Sequence, residues 1–321
     1  MNYDAGRLPE PTPEIAARLE ERLGELFLRQ RLGVERDHEA NVRRRNVFRL
    51  KGWATHPFVI RNSLKLTGLH GRAERNAENV QVRRHDVRSA ILPRPFDGFT
   101  VLHLTDLHAD ISRPAMARLM ELLPELNYDI CVMTGDYRGD TFGPFDDALE
   151  IMGQLCGHLR GPVYGVLGNH DTVLMLPALE EMGIRMLMNE AATIGRSGAS
   201  IRLAGVDDGH FYQTDDVATA AADIPSETFS ILLSHTPELY SEAAEAGFDL
   251  MLSGHTHGGQ ICLPGSVAVT LEAKGLPRHM GSGPWRHGDM TGYTSPGAGT
   301  CVLPARFNCL PEVTLHRLVC G

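Results

Sequence analysis

Apolar positions recur along this chain with two different periods, and the change between them divides it. Near the start, Thr12 and Pro13 form an N-cap and first-turn pair, and Ile15, Leu19, Leu23 and Leu26 follow at spacings of four and three. That pattern predicts an amphipathic helix running to about Leu32. From Phe99 onward, short apolar runs alternate with longer helical patterns. Strands are predicted at 99–104, 130–133, 163–167, 201–204, 229–233 and 250–252, and helices at about 113–126, 144–160, 172–183 and 237–246. Strands alternating with helices indicate an α/β arrangement. Pro93 and Pro95 punctuate the junction, so the expected division is a helical, basic extension over 1–96 and an α/β domain over 97–321.

Length and charge sharpen this division. A chain of 321 residues with 42% hydrophobic content can bury a full core. Its net charge of -9 is unevenly spread: residues 1–98 carry 19 Lys/Arg against 13 Asp/Glu, and residues 99–321 carry 12 against 27. An acidic body lacks the phosphate-neutralising cations that general nucleic-acid binding needs, and it suits divalent metals. Residues 43–88 stand apart, with twelve Lys/Arg, including Arg43, Arg44 and Arg45, against three acids. Trp53, Phe58, Val59, Ile60, Leu64 and Leu66 are interspersed. This segment reads either as a solvated connector or as a surface that adsorbs to anionic lipid, where each basic residue contributes about 1 kcal/mol. The six cysteines are far apart with no Cys-x-x-Cys pair, which predicts free thiols. Without an apolar h-region near the start or a run of 18 uncharged apolar residues, the expected location is the cytoplasm, with 43–88 as a contact to the inner membrane face.

Residues with ligand chemistry follow the predicted strands one after another. Asp106 and His108 come after the first and Asp136 after the second. Asn169 and His170 come after the third, His235 ends the run Ile231–His235, and His255 and His257 lie in Gly254-His255-Thr256-His257-Gly258-Gly259. Residues at i and i+2 in extended chain point to one side, so each of the pairs 106/108 and 255/257 can present two ligands to one centre. Any one of these residues could be a strand-end cap or a satisfied core histidine; the ordered set points to metal. Carboxylates mixed with imidazoles suit manganese, iron, zinc or nickel better than calcium. His103, inside a strand, reads as structural, and His210 as a substrate-loop residue. No Gly-Lys-Ser/Thr loop, dinucleotide fingerprint or Gly-x-Ser-x-Gly elbow occurs, which excludes the corresponding nucleotide and serine-hydrolase chemistries.

In order, the blocks Asp-x-His, Gly-Asp, Gly-Asn-His-Asp, a later His and Gly-His-x-His resemble the calcineurin-like metallophosphoesterase family over roughly residues 97–319. The runs at 254–261 and 311–315 are most similar to its bacterial YkuE/YaeI-type branch. The resemblance implies a β-sandwich flanked by helices, in four layers α/β/β/α. It implies one cation on Asp106, His108, Asp136 and His257, and a second on Asp136, Asn169, His235 and His255. Manganese is the first expectation, with iron, zinc or nickel as alternatives. Hydroxide formed at this centre would attack phosphorus while His170 protonates the leaving oxygen or stabilises the pentavalent phosphorus. The implied substrate is a phosphodiester or pyrophosphate, lipid-linked in view of 43–88; soluble nucleotides and cyclic nucleotides are the alternative, and a non-catalytic scaffold is the alternative outside enzymes. The chain departs from the family after Asp136, where Gly135-Asp136-Tyr137-Arg138-Gly139-Asp140 replaces Gly-Asp-x-x-Asp-Arg-Gly. Asp140, Asp171 or Asp208 are then the acids available to orient His170, and Arg138 the arginine available to phosphate. Gly139 stands where purple acid phosphatases carry tyrosine, so no tyrosinate-to-iron colour is expected.

Overall fold

The computed structural model describes residues 6–48 and 55–321, with the backbone alone for 43–48 and 55–60. Arg43, Arg44, Arg45, Trp53, Phe58, Val59 and Ile60, on which the membrane-surface reading leans, therefore lie outside the described side chains. The first helix forms where expected but ends early. α1 (Pro13–Leu23) is capped by Thr12, whose Oγ1 accepts from the Ile15 amide at 3.2 Å, and Gly24 breaks it at φ 79°. The chain continues in α2 (Glu25–Phe48), α3 (Thr55–Leu66) and α4 (His70–Glu78).

Residues 81–89, expected within the basic extension, instead form a strand, β1 (Gln81–Ser89). Its basic side chains hide the strand signal, because an edge position leaves most of them in water. There follow β2 (Thr100–Leu104), α5 (Arg113–Leu122), β3 (Ile130–Thr134), α6 (Asp146–Cys156), β4 (Val163–Val166), α7 (Leu176–Glu181) and β5 (Ile184–Met186). The second half contributes β6 (Glu190–Arg196), β7 (Ala199–Gly205), α8 (Val217–Ala221), β8 (Ser230–Leu233), α9 (Tyr240–Glu245) and β9 (Leu250–Ser253). A short hairpin of β10 (Cys262–Leu263) and β11 (Val267–Ala268) precedes β12 (Gly283–His287), β13 (Met290–Thr294) and β14 (Glu312–Cys320).

Two six-stranded sheets result, ordered β1-β14-β2-β3-β4-β5 and β12-β13-β9-β8-β7-β6. Alternation along the central strands explains the layering. Val101, Val132 and Val166 meet Leu203, Ile231, Leu233, Leu250 and Leu252 in the core between the sheets. Their neighbours Leu102, Leu104, Cys131 and Met133 face outward onto Met116, Leu119, Ile151 and Leu155 of α5 and α6. On the other side, Leu232 and Met251 pack beneath α8 and α9. Burial on both faces is why these strands read as continuous apolar runs, and the product is the expected four-layer α/β/β/α sandwich.

The amino-terminal helices are part of this body. Leu19 and Leu28 enter the core outside the first sheet. Arg31 on α2 is fully buried, pairs with Glu35 and Asp207 at 2.7 Å each, and lies 3.7 Å over the Tyr212 ring. Glu35 in turn accepts from the Val173 amide at 2.8 Å and the Thr172 hydroxyl at 2.5 Å, tying α2 to the loop after β4. Removing one partner leaves the others buried and uncompensated, so Arg31→Ala is expected to destabilise the fold by about 3–5 kcal/mol. Chemical denaturation checks this; an unchanged midpoint would show the network to be ornamental.

Candidate metal centre

β2, β3 and β4 run parallel in one sheet and β7, β8 and β9 in the other. Their carboxyl ends meet at one rim of the sandwich, where five of the six loops, all but the one after β7, carry the ligand residues picked out in the sequence. The two sheets are stitched together there: the His255 amide donates to Asp106 Oδ2 at 3.0 Å, and His235 Nδ1 lies 2.7 Å from the Thr134 carbonyl.

Convergence is achieved by turns rather than by extended chain. Asp106, His108, Asp136, His255 and His257 all have positive φ, between 39° and 69°. The i, i+2 argument assumed extended backbone, whereas left-handed residues turn these side chains over the rim; Asp106 and His108 fall in one group of close ligand atoms, and His255 and His257 in different ones. Such conformations in non-glycine residues cost of order 1 kcal/mol or more each and persist where surrounding bonds impose them. Asp171 supplies several, its carboxylate accepting from the amides of Asp136, Tyr137 and Gly168 at 2.8–2.9 Å. Gly168 lets the loops after β3 and β4 touch, since a Cβ there would fall 2.3 Å from Asp136 Oδ1.

Several of these side chains converge on Asp136, while the ligand nitrogen of His255 groups with His210 and Glu238. Asp106, His108, Asp136 and His257 place one ligand atom each within 4.8 Å of one another. His108 Nε2 is 3.1 Å from His257 Nε2 and 3.6 Å from Asp136 Oδ2, and His257 Nε2 is 3.3 Å from Asp106 Oδ1. On the other side of Asp136, His235 Nε2 lies 3.3 Å from the same Oδ2 and 2.9 Å from Asn169 Oδ1. The His255 ring sits 5.1 Å from that of His235.

Three observations fit this donor set to cations. His108 Nδ1 is 2.8 Å from the Arg138 carbonyl and His235 Nδ1 2.7 Å from that of Thr134; a carbonyl only accepts, so each ring holds a proton at Nδ1 and turns its Nε2 toward the cluster. His255 Nε2 is buried with no hydrogen-bond partner. The charge balance also needs positive charge. Burial pushes Asp106 up to about 6 and His108 down to about 3. Burial disfavours charged His235 and His170 as well, yet the Asp136 carboxylate raises both to about 10. A divalent cation compensates the same carboxylates without a proton.

His170 stands beside this cluster, its ring 4.9 Å from that of His108. None of the acids considered from sequence orients it. Asp171 is occupied by backbone amides, and Asp208 accepts from the amides of His210, Phe211 and Tyr212. The ring neighbours are Thr141 Oγ1, 3.4 Å from Nδ1, and Cys301 Sγ, 3.9 Å from Nε2. Arg138 is not available to a phosphate: it is buried, and its guanidinium donates to the carbonyls of His170, Gly143 and Thr141, holding the loop beneath His170. Asp207 serves Arg31. His103 is structural, buried 2.8 Å from Thr134 Oγ1, whereas His210 contacts Glu238 at 2.5 Å and lies 4.2 Å from the His255 ring at the edge of the site. Arg306 carries no sequence signal but is fully buried, donating to the carbonyls of His257, Pro296, Gly297 and Gly299 and so bracing the loop that bears His257.

A sandwich with its ligands gathered at one rim is the architecture of a metallophosphoesterase, and comparison with known proteins agrees. The model of the calcineurin-like phosphoesterase family matches residues 99–259, and the chain belongs to that family. It is 29% identical over 263 residues to the uncharacterized metallophosphoesterase YkoQ of Bacillus subtilis, covering 77% of this chain and 93% of that protein. YkuE of the same organism is 27% identical, covering 74% and 85%. The phosphodiesterase YaeI of Escherichia coli is 29% identical, covering 69% and 82%. The chain is thus a metallophosphoesterase of the YkuE/YaeI type, a hydrolase whose family uses divalent metals. All six cysteines are free, and no described helix is long and apolar enough to cross a membrane.

Proposed function

We propose that this protein hydrolyses a phosphodiester or pyrophosphate with two divalent cations, one held by Asp106, His108, Asp136 and His257 and the other by Asp136, Asn169, His235 and His255. The observation that carries the reading is Asp136 Oδ2, set within 3.6 Å of His108 on one side and 3.3 Å of His235 on the other. When bound, such a pair supplies Lewis-acid polarisation of a phosphoryl oxygen and brings the ionisation of water close to neutral pH. The chain's own residues do the rest. The Nδ1 bonds of His108 and His235 fix the orientation of their rings, Asp136 Oδ1 holds the His170 amide at 2.9 Å, and Arg138 holds the His170 carbonyl at 2.6 Å. His170 is thereby placed to give its ring proton to the leaving oxygen. The name of YaeI supports diester substrates.

Part of the described surface supports a lipid-linked substrate. A cavity of about 220 Å³ between α3, α4 and the loop at 303–305 is lined by Arg61, Lys65, Leu64 and Leu303, with His70 and Glu74 paired 3.1 Å apart on its wall. Leu66 stands next to it, 88% exposed. Cationic and apolar walls together suit a ligand with an anionic and an apolar part, and the neighbouring basic segment suits an anionic, cytoplasmic membrane face. Metal-loaded protein is expected to cleave bis-p-nitrophenyl phosphate faster than p-nitrophenyl phosphate and to pellet with anionic vesicles at low salt but not at high salt. Inactivity on both esters with two metals bound would overturn the diesterase reading, and absence from the pellet at low salt would overturn the membrane one.

A further inference from the structure

The loop at 297–305 presses against the first group of ligands, and its construction singles out Cys301. The amides of Ala298 and Gly299 donate to the carbonyls of Thr105 and Asp106 at 3.0 and 2.9 Å, so this loop is bonded directly to the turn bearing Asp106 and His108. Gly299 makes the approach feasible; a Cβ there would fall 2.0 Å from the Leu107 carbonyl oxygen. Two residues on, Gln260 clamps Cys301 from both sides: its Oε1 accepts from the Cys301 amide at 2.8 Å and its Nε2 donates to the Cys301 carbonyl at 2.9 Å. Gln260 itself lies just past His257 and is held at φ 52°. The residue so clamped offers Sγ within 4.8 Å of the ligand nitrogens of both His108 and His257.

We propose that Cys301 is a sulfur ligand of the cation held by His108 and His257, which makes that position selective for zinc, iron or cobalt over manganese. The proposal rests on the two-cation reading above and changes its chemistry. Thiolate is a soft donor, and together with two imidazoles it favours the later first-row metals, whereas a purely carboxylate and imidazole set leaves manganese competitive. Coordination releases the thiol proton to solvent, one per chain, as the sulfur lone pair binds the metal.

Cobalt supplies a readout independent of turnover. Protein stripped with chelator and loaded with Co²⁺ is expected to show thiolate-to-cobalt charge-transfer absorption in the near ultraviolet. The zinc-loaded protein is expected to show a sulfur scatterer at about 2.3 Å by X-ray absorption. Cys301→Ser should abolish both while circular dichroism stays native, and its preference for zinc over manganese should fall roughly tenfold or more. Cys309→Ser and Cys320→Ser should keep both signals. If Cys301→Ser fails to fold, Cys301→Asp tests the same point by binding cobalt without the charge-transfer band. A full cobalt complement in the wild type without a sulfur signal overturns the assignment of Cys301 and leaves the two-cation reading standing. Failure to bind cobalt at all overturns both.

Discussion

Asp136→Asn is expected to lower bound metal from two toward one or fewer per chain and turnover by roughly 10³-fold, about 4 kcal/mol of transition-state stabilisation. In the proposed two-cation reading Asp136 is the shared carboxylate, and its side chain is almost fully buried, so no solvent softens the loss of its charge. An amide can keep the oxygen that accepts from the His170 amide at 2.9 Å, which leaves the loop after β4 in place. Its nitrogen would then occupy the Oδ2 position. There it offers protons to a point where His108 and His235 also converge, and it repels a cation. Elemental analysis beside initial rates tests this. Retention of both metals at normal turnover would remove Asp136 from its shared role.

His170→Ala is expected to separate binding from chemistry. Metal content should stay at the wild-type level while turnover falls by 10²- to 10⁴-fold, the usual worth of a positioned general acid. His170 is not in the group of mutually close ligand atoms, and its backbone is held from both ends by Asp136 and Arg138, so truncating the ring disturbs neither cation group. The deficit should depend on the leaving group. It should be small for p-nitrophenolate, which departs without a proton, and large for an alkoxide, which needs one. An equal loss across leaving groups would assign His170 to phosphate binding instead of proton transfer.

Much of this site was legible in advance because its ligands belong to local sequence events. Each follows a strand whose two buried faces make it an apolar run, and the five blocks keep their order whatever their distance in the chain. Several strands escaped notice, among them β6 and β14, whose apolar residues are interrupted by polar ones. β1 is basic because it lies at an edge, β12 and β13 are short and polar, and β5 has three residues. The helix predicted to Leu32 breaks at Gly24 and resumes, since one left-handed glycine can turn the chain without leaving an apolar gap.

By itself, then, the amino-acid order determined the alternation of strands and helices and the placing of acid, histidine and asparagine residues just after the strands, because apolar periodicity and residue chemistry are properties of neighbours in the chain. The four-layer class and the candidate ligand set came from the order of its motifs, through their resemblance to a family. Only the tertiary structure decided what surrounds them. It turned Arg138 from a phosphate contact into a loop brace, gave His170 a threonine and a cysteine in place of an acid, brought Arg306 behind His257, and buried Arg31 of α2 against Asp207. These partners lie 3 to 176 positions apart in the chain. Their meeting depends on how two sheets stack at a common rim, for which no spacing in the sequence is a record.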